Sequence, residues 1–235
     1  MKKVCLIFSA VVMIAMMLSS CGGGTSDEKG PTNEVTIGKQ VWMTENLNVD
    51  QFRNGDPIPQ AKTAEEWERA GQNKQPAWCY YDNDPANSSK YGKLYNWYAV
   101  IDSRGISPIG WHIPSDEEWS KLSENLGGKD IAGKKMKNKS GWEEGADTRL
   151  VPTNPGTNES GFSGLPGGMR INLGGDAVPL NPAVFVQVGE SVYWWSSTDY
   201  NNDFSWYRYL PYYDSSIKSS YFEKESGMSV RCIKD

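Results

Sequence analysis

The feature that most restricts the fold of this chain is the lack of a helical repeat over its second half. From about Trp142 onward, glycine, asparagine, proline and aromatic residues alternate in short runs, and apolar residues rarely recur three or four positions apart. Short β-branched, aromatic or alternating runs in this half predict strands at 184–188, 193–197, 205–210 and 228–233. We therefore expect loops and short strands here rather than a helical bundle.

The first half carries signals for a hairpin and two helices. Apolar alternation at 35–37 and 40–43, around a turn that starts at Gly38, predicts a β-hairpin. Thr63 and Ser115 each stand three residues before a glutamate, which is the capping-box pattern of a helix start. Gly127 and Gly128 predict the end of the second helix. The sequence thus predicts an α+β fold with two helices, short antiparallel strands and a long-loop region.

Residues 1–20 are typical of a cleaved secretory leader. Lys2 and Lys3 precede an apolar run at 4–18 that is shorter than the ~20 residues needed to span a bilayer. The tetrad that ends at Cys21 resembles a bacterial lipobox, which implies cleavage before Cys21 and lipidation of its sulfur. An ordinary leader with a coincidental cysteine is the alternative.

The segment after the leader predicts a flexible tether at 21–34, because it is rich in glycine and polar residues. Its Ser26-Asp27-Glu28 stretch resembles the export signal of Bacteroidota surface lipoproteins, although plain linker acidity would explain it equally well. No further linker interrupts 35–235, so we expect one domain there. The expected location is the outer membrane, at the cell surface, with the lipid as the membrane contact.

Charge and histidine content exclude two function classes. Removal of the leader with its two lysines leaves 22 basic and 29 acidic residues, a net charge of −7. Such a surface does not favour nucleic acid, which requires a positive excess. His112 is the single histidine, so a metal site with two or three imidazole ligands cannot form. We expect the His112 imidazole to be hydrogen-bonded in a packed turn rather than to act as a catalytic base.

Seven segments together resemble the Fibrobacter succinogenes major paralogous domain, in the order of that family and across 35–235. They are VWMTENLN at 41–48, YGKLYNWYAV at 91–100, GWHIPSDEEW at 110–119, NESGF at 158–162, LPGG at 165–168, YWWSST at 193–198 and SVRC at 229–232. The family is similar in layout to the C-type-lectin-like fold of the formylglycine-generating enzyme group. The resemblance implies a single C-type-lectin-like domain. Members of the family are mostly surface or secreted proteins.

Cys79 and Cys232 are the two cysteines of the expected domain. In an exported chain they suggest a disulfide, with two buried thiols as the alternative. Ser107 stands where relatives often carry a cysteine. A disulfide that relatives form with that cysteine therefore cannot be transferred to this chain. The oxidase chemistry of the formylglycine-generating group needs two reactive cysteines near the C-terminal end. Only Cys232 lies there, so we expect no catalytic residues and no enzyme.

Oxygen-bearing side chains in one loop suggest a metal ligand. Asp199, Asn201, Asn202 and Asp203 supply the oxygens that a hard cation prefers, and they predict a possible structural calcium. The simpler alternative is an Asx-rich turn. The glycines between Gly161 and Gly175 match no phosphate-binding motif and predict tight turns.

The density of aromatic residues is highest at 191–222, where 12 of the 28 aromatics of the chain occur. Alternation on the predicted strand sends Phe204, Trp206, Arg208 and Leu210 to one face and Ser205, Tyr207 and Tyr209 to the other. Aromatic rings beside amide and hydroxyl groups suit both sugars and protein hot spots. The candidate ligand-binding residues are Tyr200, Trp206, Tyr207, Arg208, Tyr209, Tyr212 and Tyr213.

These observations predict a lipid-anchored binding module for a glycan or a surface protein. Two alternatives remain open. The first is a structural component of a surface or fimbria-like assembly, in which a neighbouring subunit buries the aromatic face. The second is an oxidase of the formylglycine-generating type. Rings that merely fill the core would explain the aromatic density without any ligand.

Overall fold

A computed structural model describes residues 33–142, 156–172 and 183–235. The predicted leader, the tether up to residue 32 and Cys21 lie outside these residues. Helices and strands are mixed along the chain, so the protein is α+β. The helices are α1 (Ala64–Gln72), α2 (Ser88–Tyr91), α3 (Trp97–Val100), α4 (Asp116–Asn125) and α5 (Lys129–Met136). The strands are β1 (Glu34–Ile37), β2 (Gln40–Met43), β3 (Trp78–Cys79), β4 (Leu94–Tyr95), β5 (Trp111–His112), β6 (Gly167–Asn172), β7 (Ala183–Val188), β8 (Ser191–Asp199), β9 (Phe204–Pro211), β10 (Lys218–Glu223) and β11 (Ile233–Lys234).

The strands form two larger sheets and one short pair. The first sheet has the order β1-β2-β11-β5, so the last strand of the chain lies beside the N-terminal hairpin. The second has the order β10-β9-β8-β6-β7, which makes β10 one of its edges. Its pairs are antiparallel except for the β6–β8 contact. The third pairs β3 with β4.

The predicted hairpin and both predicted helices are confirmed. Thr63 and Ser115 form complete capping boxes, in which the cap oxygen accepts from the third helical N–H and the glutamate carboxylate accepts from the cap N–H. Gly127 follows α4 at a φ of +100°, a conformation open to glycine because it has no Cβ. The expectation of only two helices is wrong, since the structure also contains α2, α3 and α5. These three helices are short and lack the capping-box pattern, so the sequence did not predict them.

The strand predictions for the second half are partly confirmed. β7, β8 and β9 cover the predicted segments at 184–188, 193–197 and 205–210. The strand expected at 228–233 is largely wrong, since only Ile233–Lys234 is a strand and Met228 and Ser229 make isolated bridges. β6 also replaces part of the predicted glycine-rich turns. Gly174 and Gly175 lie outside the described residues.

The five-stranded sheet separates two hydrophobic clusters. Trp194 and Leu210 point toward α4 and pack with Trp119, Trp42 and other residues of one cluster. Tyr193 and Trp195 point the opposite way, into the larger cluster that contains Cys232. A third, smaller cluster lies under α1 and contains Cys79. Among the described residues, every helix is too short or too polar to cross a membrane.

Candidate functional site

Strand β9 distributes its side chains between the two faces of the sheet as the alternation predicts. Arg208 and Leu210 are buried on the α4 side, whereas Tyr207 and Tyr209 pack on the larger cluster of the opposite side. Tyr207 and Tyr209 therefore face a hydrophobic cluster rather than open solvent. Both faces are covered near the middle of the sheet, and the exposed rings of Tyr200 and Tyr221 lie beside the first residues of β9.

Four rings at that end form a surface that we call the aromatic platform: Tyr200, Phe204, Trp206 and Tyr221. Tyr200 and Tyr221 are stacked, with ring centroids 4.0 Å apart and planes within 4°. Trp206 meets Tyr200 edge-on at 5.3 Å, and Phe204 meets Tyr221 edge-on at 5.8 Å. Tyr200 and Tyr221 are each 44% exposed, so the stack faces solvent while its neighbours support it.

The opposite face carries a second group, the tyrosine cluster, formed by Tyr193, Tyr207 and Tyr209. Tyr193 stacks on Tyr209 at 5.5 Å, and its hydroxyl donates to Gln187 Oε1. Burial raises the pKa of Tyr193 to about 12 and also raises the pKa values of Tyr207 and Tyr209. These phenols stay neutral at physiological pH. Because Tyr207 and Tyr209 are half-buried in this cluster, they offer less surface to a ligand than the platform does.

The remaining candidate ligand residues separate from both groups. Tyr212 and Tyr213 form an edge-to-face pair at 5.3 Å, with Tyr213 exposed. Arg208 is buried, and its Nη2 donates to Asp116 Oδ1 at 2.9 Å and to Ser120 Oγ at 3.0 Å. Arg208 therefore anchors α4 on the sheet through Nη2, and its burial separates it from the exposed rings.

The loop predicted to hold calcium contains an ammonium group in the corresponding place. Lys224 Nζ lies 2.8 Å from Asp199 Oδ1 and donates to the carbonyl oxygens of Asn201 at 2.6 Å and Asn202 at 3.1 Å. The side chain of Asn201 accepts instead from the N–H groups of Asp203 and Phe204, as an Asx turn does. These residues do not fit a calcium ion, because a lysine already fills the oxygen cluster. In the described ranges, no group of three or more His, Cys, Asp or Glu is arranged to hold a metal.

The cysteine bridge predicted from the sequence is absent from the structure. Cys79 and Cys232 are free, fully buried and located in different hydrophobic clusters. Ile106, the residue before Ser107, belongs to the same hydrophobic cluster as Cys232. Ser107, rather than Cys79, thus shares the surroundings of Cys232.

His112 joins two carboxylates at the surface. Its Nδ1 lies 2.7 Å from Asp235 Oδ1 and its Nε2 lies 2.9 Å from Glu118 Oε1. Glu118 in turn accepts from the N–H and hydroxyl of Ser115, which caps α4. Both imidazole nitrogens are therefore engaged, and both contact carboxylates.

A polar cleft of about 540 Å³ lies away from the platform, between Glu45, Ser89 and Lys90. Its floor contains Asn46 and the buried Arg231, both from the segments that carry the family resemblance. Asn46 Oδ1 accepts from Arg231 Nε and Nη2 and from Trp194 Nε1. These groups satisfy one another, so this part of the cleft links the two sheets rather than offering free donors.

Sequence reasoning missed two residues of the platform region. Tyr221 lies on β10, whose sequence KSSYFE alternates serine with larger residues but was not predicted as a strand. Phe204 counted toward the aromatic density without being chosen as a ligand residue. The alternation on β9 already placed Phe204 beside Trp206, and this signal could have identified it.

The comparisons with known proteins give one match. The family described as the Fibrobacter succinogenes major domain matches residues 35–234. No curated protein and no solved structure matches the chain. The resemblance inferred from the seven segments is confirmed by this family match.

Proposed function

This chain belongs to the Fibrobacter succinogenes major domain family, and we propose its function from the exposed aromatic platform. We propose that the protein is a non-catalytic binding module, and that its aromatic platform holds a glycan or a protein surface. The observation that supports this proposal is the solvent-facing Tyr200–Tyr221 stack, supported edge-on by Trp206 and Phe204.

The platform has the physical properties that ring-shaped ligands require. Aromatic faces attract the apolar C–H faces of sugars, and tyrosine hydroxyls supply hydrogen bonds at the rim. Exposed Asn202 and Asp203 lie beside these rings and add amide and carboxylate groups. Since the four rings already fix one another, binding would cost little side-chain entropy.

The proposed setting is the outside of a Bacteroidota-type cell. The leader and the lipobox-like tetrad at Cys21 support an outer-membrane lipoprotein, and the net charge of −7 argues against nucleic acid as a partner. We further propose a C-type-lectin-like arrangement of the domain. Short antiparallel strands, long connecting loops and the pairing of β11 with the N-terminal hairpin are compatible with it.

The oxidase alternative has less support than the binding proposal. Its chemistry requires two accessible thiols close together, whereas Cys79 and Cys232 are buried in separate clusters. Burial raises the pKa of Cys79 to about 11 and that of Cys232 to about 12, which keeps both protonated.

The proposal is tested on an array of plant and bacterial oligosaccharides and, in parallel, by capture of extracellular proteins on the immobilised chain. We expect Tyr200→Ala, Trp206→Ala and Tyr221→Ala each to weaken the strongest interaction by about tenfold or more, as loss of a buried ring at a binding hot spot does. Tyr213→Ala is the matched control, because Tyr213 is equally exposed but outside the platform.

Two results would contradict the platform as the binding surface. One is binding that survives all three platform substitutions. The other is binding that is lost in Tyr213→Ala and retained in the platform variants, which would move the ligand to the Tyr212–Tyr213 pair. Near-UV circular dichroism of each variant checks that the sheet remains folded.

A second candidate function, a structural role in a surface assembly, is favoured by the open edge of β10. This strand pairs with β9 in an unbroken register from Lys218 to Glu223, and no strand of the described residues lies on its other side. The N–H of Lys224 bonds the carbonyl of Asp203, and bonded positions alternate in an antiparallel pair. The backbone groups of Ser219, Tyr221 and Glu223 therefore point outward, where a strand of another copy could add.

A further inference from the structure

Lys224 is the most enclosed cation near the platform, and its ammonium is fully satisfied. Its side chain is 6% exposed. Three oxygens accept from it, one for each N–H: the Asp199 carboxylate and the Asn201 and Asn202 carbonyls. The ammonium also lies 4.5 Å from the centre of the Trp97 ring, whose face attracts a positive charge.

The backbone of Lys224 is fixed as firmly as its side chain. Its N–H donates to Asp203 O at 2.9 Å, and its carbonyl accepts from the N–H of the buried Trp97 at 2.9 Å. The backbone of Lys224 is thus fixed to the core, and its ammonium binds the exposed loop. Because the ammonium is buried and its hydrogen bonds are charge-assisted, we expect this contact to stabilise the loop more than a surface ion pair would.

The contact between Lys224 and the loop also fixes the position of Tyr200. Tyr200 stands between Asp199 and Asn201, and both of these residues direct an oxygen at Lys224. Tyr221, the ring on which Tyr200 stacks, belongs to β10 and lies three residues before Lys224 in the chain. A single side chain therefore links the two segments that supply the stacked rings.

We propose that Lys224 is the positioning residue of the aromatic platform: its ammonium takes the place of a bound cation in the 199–203 loop and holds Tyr200 against Tyr221. This inference rests on the proposed function where ligand binding is concerned, but its effect on the loop stands independently. It also explains why oxygens that resemble a calcium loop converge: they serve a cation that the chain itself supplies.

A covalently attached cation differs from a metal in one testable respect. Calcium would be lost to a chelator, and the loop would then lose its order. The Lys224 ammonium cannot dissociate, so the platform should remain assembled in the presence of a chelator. When the side chain is shortened, a small ammonium ion added to the solution can occupy the vacated oxygens.

The experiment measures amide hydrogen exchange in the mature chain, together with binding to the oligosaccharide array. Lys224→Met keeps the length of the side chain and removes its charge. We expect amide exchange at 199–204 to become about tenfold faster, since hydrogen bonds to a charged group are lost. Lys224→Ala should behave similarly and be restored by methylammonium chloride but not by sodium chloride. A chelator should leave the wild-type exchange unchanged.

Two further variants complete the design. Lys121→Met is the matched control, because Lys121 forms an exposed ion pair with Glu117 of the same helix. It should leave exchange at 199–204 unchanged. Asp199→Asn removes the carboxylate at an exposed position and serves if the Lys224 variants do not fold. It should loosen the same loop to a smaller extent.

The outcomes separate this inference from the proposed function. Unchanged exchange at 199–204 in Lys224→Met and Asp199→Asn would overturn the role of Lys224. A loosened loop with undiminished ligand binding would overturn its role as the positioning residue of a binding surface. A loosened loop in the variants, with a wild-type chain that binds no glycan or protein, would support the role of Lys224 in the loop and overturn the proposed function.

Discussion

At the scale of single residues, the buried cations explain part of the high aromatic content. Lys93 lies over Trp78 at 4.2 Å, Arg170 over Trp67 at 4.6 Å and Arg231 over Phe162 at 4.5 Å. Lys224 over Trp97 repeats the pattern. A desolvated cation–π contact contributes about 2 kcal/mol, which offsets part of the cost of burying the charge. Many rings of this chain are therefore structural, and only the exposed ones remain for a ligand.

The cysteines lead to a prediction at the same scale. Both thiols are buried and have raised pKa values, so the reactive thiolate is scarce in the folded state. In a chain that starts after Cys21, a thiol reagent should find almost no reactive cysteine until the protein is unfolded. Unfolding without a reductant should then release two thiols.

Absorbance of the released thiol chromophore measures this count. Fewer than two thiols after unfolding without a reductant would contradict the separate placement of Cys79 and Cys232. Cys79→Ser serves as the control and should lower the count by one.

At the scale of elements, His112 connects three parts of the fold. It lies on β5, Asp235 follows β11, and Glu118 belongs to the first turn of α4. Partial burial opposes protonation of the imidazole, but hydrogen bonds to Glu118 and Asp235 outweigh it and raise the pKa of His112. Burial of Glu118 is likewise outweighed by its bonds to Ser115 and His112, so the pKa of Glu118 is lowered.

The signs of these shifts predict how stability depends on pH. Since the folded-state pKa of His112 is raised, its contribution is complete below the unfolded value of 6.5 and is lost as pH rises through the folded pKa. The contribution of Glu118 is present above 4.5 and is lost as pH falls through its lowered pKa. The link is therefore strongest between these two values. At this exposure it contributes no more than about 1 kcal/mol per pair.

Urea unfolding at a series of pH values tests this prediction. His112→Asn should flatten the fall in the unfolding midpoint above pH 6.5. Lys234→Gln is the control, because its exposed ion pair with Glu34 does not include His112, and it should shift the curve without changing its slope. A wild-type midpoint that rises through this range would show that the sign is wrong.

At the scale of the whole molecule, the open edge of β10 determines whether copies can associate. The outward backbone groups are those of Ser219, Tyr221 and Glu223. A two-fold axis through Tyr221 would place it opposite Tyr221 of a second copy, and an aromatic cross-strand pair stabilises a sheet. The charge of Lys218, which could protect the edge, is paired with Asp214.

If the protein assembles through this edge, sedimentation velocity should show a concentration-dependent dimer. Ser219→Pro should abolish the dimer, because proline removes an outward N–H that β9 does not use. Ser219→Ala retains this N–H and should leave association unchanged. A chain that stays monomeric at every concentration would contradict the assembly function and would leave the binding function as the proposal.

Local signals in the sequence determined the local structure. Capping boxes at Thr63 and Ser115, the hairpin around Gly38 and the alternation on β9 depend on neighbours within a few positions, so they were predicted correctly. The same reasoning missed α5 and β10 and misplaced the strand at 228–233. The segments at 228–233 and β10 take their conformation from partners beyond a few positions, such as Tyr95 for Met228 and the preceding strand β9 for β10.

The sequence by itself determined the family, the mixed α+β class and the late concentration of aromatic rings. Only the tertiary structure decided which of those rings face solvent, that Arg208 serves α4, that the cysteines lie apart and that Lys224 fills the oxygen-rich loop. The physical reason is distance along the chain. Lys224 lies 25 residues after Asp199, Cys232 lies 153 residues after Cys79, and Arg208 lies 92 residues after Asp116. No local pattern encodes which side chains meet across such separations, because strand pairing and core packing bring them together only when the whole domain folds.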